Sequence, residues 1–68
     1  MLVTFSYTEE RVVTVEAFEN MSAKDFMALR DTNRDLYDKM MDEAMNKALI
    51  CIEHPGDVLH ITFLDVED

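Results

Sequence analysis

Three features of the sequence predict an α+β domain of two layers, with one long helix packed across an antiparallel sheet. Two short segments near the start alternate between apolar and polar residues, a long Gly- and Pro-free stretch follows with helical spacing, and a third alternating segment ends the chain. With 68 residues, residues 1–68 form a single small acidic domain. A chain of this size hides only about 60% of the surface it exposes when unfolded, so a partner surface is a reasonable expectation.

From Leu2 to Tyr7 the side chains of Val3, Phe5 and Tyr7 fall on one side and those of Thr4 and Ser6 on the other, the period of a half-buried strand. Thr8, Glu9 and Glu10 make a short polar connection. Arg11 to Phe18 then alternates again, with Val13, Val15 and Ala17 opposite Val12, Thr14 and Glu16. So short a loop makes an antiparallel hairpin the economical pairing, although no Asn-Gly or Asp-Gly turn marks it.

Ser22 with Asp25 three residues later resembles a capping box, so a helix is expected to begin at Ala23. Phe26, Leu29, Leu36, Met40, Ala44 and Ala48 recur at helical spacing. A helix from Ala23 to Lys47 would measure about 37 Å and a seven-residue strand roughly 23 Å, so the helix outruns its sheet. It must kink near Thr32 and Asn33, where a second segment could be capped again, or project towards another surface. Leu49 to Ile52 reads as a short strand on its β-branched residues, the alternative being a helix that continues to about Glu53 and a sheet of three strands. Pro55 and Gly56 signal a turn, and Val58 to Val66 is expected as the last strand, with Leu59, Ile61 and Phe63 facing inward.

Charge limits the function. Fifteen acidic and six basic residues give a net charge of -9, which opposes direct contact with nucleic acid or anionic lipid and favours a basic protein partner. No run approaches the roughly 18 apolar residues of a membrane span, and no signal peptide is evident, so the chain reads as cytoplasmic. One cysteine, Cys51, allows no internal disulfide.

Asp31, Asp35, Asp38 and Asp42 would lie within a sector of about 60° on a single helix, separated by roughly 4.5 to 6 Å along its axis. Such a row repels itself, with only Arg34 and Lys39 nearby in relief. A solvated face that keeps the protein soluble accounts for it; the functional reading is a set of carboxylates presented to the Arg and Lys residues of a nucleic-acid-binding partner. Five of six methionines lie in or beside the helix, and they widen its apolar arc to about 180°, more than one sheet covers. Core filling is the simple explanation. A homodimer or partner interface at Tyr37, Met41 and Met45 is the alternative.

Cys51, His54 and His60 have a C-x2-H-x5-H spacing that offers zinc one Cys and two His, but a core cysteine with two surface or strand histidines explains them more simply. One glycine precludes a phosphate-cradling loop, no nucleophile–base motif stands out, and so small a domain has little room for a pocket. No enzyme activity, metal or cofactor is expected. The acidic end, Leu64 to Asp68, is a solvated terminus that blunts a sheet edge.

In size, charge and glycine poverty the chain is similar in type to small phage-encoded inhibitors that occupy nucleic-acid-binding proteins of the host, such as nucleic-acid mimics and some anti-CRISPR proteins. The likeness is one of composition and transfers no residue. It implies a viral protein acting in the host cytoplasm by occupying a basic surface.

Overall fold

The computed structural model describes residues 1–8, 11–52, 56 and 60–68. Its elements in order are β1 (Leu2–Tyr7), β2 (Arg11–Glu16), α1 (Ala23–Thr32), α2 (Arg34–Cys51) and β3 (Ile61–Glu67). The strands form one antiparallel sheet in the order β2-β1-β3, so the expected small α+β fold is the observed one.

β1 is the middle strand, and with a neighbour on each side its inward Val3 and Phe5 are fully buried, each stabilising the fold by about 1.5–3 kcal/mol. It pairs with β2 in the register Val3↔Val15 and Phe5↔Val13, as the hairpin reading requires. The connecting residues Glu9 and Glu10 lie outside the described residues. β2 stops at Glu16, two residues short of expectation. Met1 and Ala17 still exchange both backbone hydrogen bonds, at 3.0 and 2.9 Å, but Phe18 turns into the left-handed region at φ 52° and leaves the sheet. Its ring then stacks on Phe26, centroids 6.1 Å apart.

β3 begins at Ile61 and runs to Glu67; His60 stands before it, and Val58 and Leu59 lie outside the described residues. Phe5 pairs with Phe63 and Thr4 with Asp65, so Leu64 is an extra residue, a β-bulge. The bulge shifts the inward set from Ile61 and Phe63 to Val66. It leaves Leu64 53% exposed.

Ser22 caps α1 as expected, its hydroxyl accepting from the Asp25 amide at 3.1 Å. The long helix breaks at Asn33. There the Asn33 amide donates to the Leu29 carbonyl at 2.8 Å, ending α1, while its side-chain oxygen accepts from the Leu36 amide at 3.3 Å and starts α2. In an unbroken helix Phe26 and Tyr37 would stand about 16 Å apart along the axis. Their ring centroids are 5.1 Å apart, because the break lets α1 fold against α2.

Leu49 to Ile52 is not a strand: α2 continues through Cys51 and Ile52 caps it. The reason is spacing, because Ala44, Ala48 and Ile52 recur every four residues and are 1%, 0% and 7% exposed, so helical continuation adds an anchor to the core. Burial there outweighs the β-propensity of two isoleucines. The cost is Ile50, which points to solvent at 84% exposure. Small residues at 44 and 48 let α2 lie close over β2 and β1.

Candidate functional site

The acidic residues are arranged differently from the single row expected. Asp31 lies on α1, and the break at Asn33 separates it from Asp35, Asp38 and Asp42 on α2. Those three remain on one side of α2, with rises of about 4.5 and 6 Å between successive members. All four are exposed. Asp38 is engaged: its carboxylate accepts from Arg34 Nε at 3.1 Å, and the Arg34 guanidinium also covers the Tyr37 ring, 5.3 Å from its centroid. So exposed a pair contributes about 0.3–0.5 kcal/mol, enough to hold a rotamer and too little to consume the charge.

Four of the 15 acidic residues, Glu9, Glu10, Glu53 and Asp57, lie outside the described residues; the other eleven are all exposed. Among the described residues Arg34–Asp38 is the only ion pair. Asp68 has a structural use, its Oδ1 accepting from the Ala23 amide at 2.6 Å and fastening the end of β3 to the start of α1. Asp35 and Asp42 make no hydrogen bond or ion pair among the described residues, and they are the carboxylates on α2's acidic side most open to a partner.

Tyr37 is 7% exposed and packs on Phe26, because its helical phase falls between those of the buried Ala44 and Ala48 and the break at Asn33 lets α1 fold over it. Met41 and Met45 are half-buried against the same core, together with Met21, Met27 and Met40. The second helix layer, absent from a one-helix reading, is what fills the wide apolar arc.

Cys51 is exposed, contrary to its reading as a core cysteine, since the helical continuation places Ala48 and Ile52 on the inner side in its stead. His60 is exposed and His54 lies outside the described residues. Among the described residues no group of three or more His, Cys, Asp or Glu side chains is placed to hold a metal ion. No buried side-chain nitrogen or oxygen lacks a partner there either, so no polar group is aimed into the interior for a ligand. No described helix is long and apolar enough to cross a membrane. Comparison with protein-family models, with curated proteins and with solved structures finds no match to this chain.

Proposed function

We propose that this protein is a non-enzymatic, acidic binding module that docks on a basic protein surface, of the kind that nucleic-acid-binding proteins present, and inhibits by occupying it. The single observation that supports the proposal is the state of the carboxylates: eleven exposed acidic side chains with one ion pair among them. Stability alone gives no reason for that arrangement, because unrelieved like charges destabilise a compact fold, whereas a basic partner converts the same field into attraction and fast association. The α2 side bearing Asp35 and Asp42, with Asp38 beside them and Asp31 on the neighbouring helix, is the surface assigned to the partner. Occupation would be steric and electrostatic, with no chemical turnover, in the manner of a nucleic-acid mimic.

Self-association through Tyr37, Met41 and Met45 is the weaker alternative, since these side chains already pack within the chain. The docking role is tested by capture from native cell extract with the wild-type protein and with the double variant Asp35→Lys/Asp42→Lys. Both positions are exposed, so the variant folds. Expected is a basic protein retained by the wild type, released by added nucleic acid and lost by the variant at ordinary salt. Equal capture by both proteins defeats the proposal.

A further inference from the structure

Hydrogen-bond parity in the sheet shows which backbone groups β2 leaves open. Met1 and Ala17 exchange both their hydrogen bonds. Antiparallel ladders alternate, so in the register observed Val3–Val15 and Phe5–Val13 are also bonded pairs, and the N–H and C=O groups of Val12, Thr14 and Glu16 point out from the sheet. β2 is an outer strand, and among the described residues one group reaches that edge: Lys47 Nζ, which donates to the Glu16 carbonyl. The donors and acceptors of Val12 and Thr14 stay open. Val12 is itself 58% exposed. β3, the other outer strand, is guarded by its bulge and by Asp65 and Glu67, whereas β2 has neither proline nor bulge, and three of its six residues are valine.

Lys47 also shows which flank of α2 overhangs this edge. Leu36, Glu43 and Ile50 fall within about 60° of Lys47 around the helix, so the 84% exposed Ile50 and 39% exposed Leu36 share the flank that faces the open strand. Among the described residues the charges balance here: Arg11 and Lys47 accompany Glu16 and Glu43. A basic partner gains little here. Among the described residues a second copy of a chain carrying -9 meets less repulsion here than on the side of α2 that bears Asp35, Asp38 and Asp42.

We propose that the open edge of β2 pairs antiparallel with β2 of a second copy, joining two three-stranded sheets into one. The occupied Glu16 carbonyl selects the register. Val12 then exchanges hydrogen bonds with Thr14 of the second copy and the reverse, and Val13 sits at the two-fold axis beside its equivalent. Because α2 lies over β2 and β1, a strand spacing of about 4.8 Å sets the two α2 helices about 10 Å apart, the distance at which helices pack. Ile50 is covered there, which accounts for an isoleucine that the single chain leaves in water. The acidic side of α2 remains free, so this interface is independent of the docking role proposed above.

Sedimentation equilibrium across a dilution series, with amide exchange on the same samples, tests the pairing. Expected is a dimer that strengthens with added salt as like charges are screened, with the Val12 and Thr14 amides protected at high concentration and open at low. Thr14→Pro removes a backbone donor that the monomer does not use, together with the exposed hydroxyl contact to Thr4 at 2.8 Å, and by symmetry removes two hydrogen bonds from the dimer, so self-association should weaken about thirtyfold. Ile50→Lys, a substitution at an exposed position, should weaken it as well and serves if the proline variant does not fold. A monomer at millimolar concentration overturns the proposal, as does a dimer that Ile50→Lys leaves intact or one in which the Val12 and Thr14 amides exchange freely.

Discussion

Replacing Asn33 by Ala separates two possible causes of the break in the helix. Asn33 bonds in both directions, but its side chain contributes only the 3.3 Å cap on the Leu36 amide, while the bond to the Leu29 carbonyl comes from its backbone and survives substitution. Loss of such a cap costs about 1 kcal/mol. Against this, Ala removes the local penalty for Asn in a continuous helix, about 0.5 kcal/mol or more in favour of straightening. Straightening would pull Phe26 away from Tyr37 and from Phe18, and Phe26 is fully buried. Removing a buried phenylalanine from its site costs about 3–5 kcal/mol, several times the local gain, so packing holds the break. Asn33→Ala should therefore lower the midpoint of thermal unfolding by roughly 4–8 °C without raising helical circular dichroism, whereas Phe26→Ala should consume most of a total stability of about 3–10 kcal/mol. An Asn33→Ala protein that melts higher and gains helix would refute the ordering of these terms.

Further outcomes follow from particular contacts. Asp68→Ala removes the acceptor of the Ala23 amide and should cost about 1 kcal/mol in urea unfolding, with faster amide exchange at the start of α1. Ile52→Ala should cost about 2–4 kcal/mol, and Ile50→Lys less than about 0.5 kcal/mol when measured at low micromolar concentration; the reverse order would restore a strand at 49–52. Thr8 is a β-branched residue at φ 47°, so Thr8→Asn should raise stability by about 0.5–1 kcal/mol in the same assay.

The hairpin and the start at Ser22 were legible because each rests on local chemistry, period-two alternation and a hydroxyl cap, and the break near Asn33 was one of two outcomes left open, with an amide side chain there able to begin a second helix. The end of α2 was not legible. Leu49 to Ile52 carries two β-branched residues, and only the burial of Ala48 and Ile52 against a sheet formed by distant residues decides for helix. The bulge at Leu64 is equally silent, since nothing in the order of Phe63, Leu64, Asp65 and Val66 says which residue falls out of register. The acidic positions were readable one by one. Their grouping depended on helix phase, and the same break that put Asp31 on a separate helix folded Phe26 over Tyr37 and closed it into the core.

The strand order also governs when the fold can close. β1 receives one neighbour from residues 11–16 but the other only from residues 61–67, so its second side must wait while more than fifty residues are synthesised or collapse around it. Such distant closure slows folding. Chains halted after Cys51 would carry the most apolar strand of the protein with one flank bare, and they should be the species that chaperones hold and that aggregate when left alone.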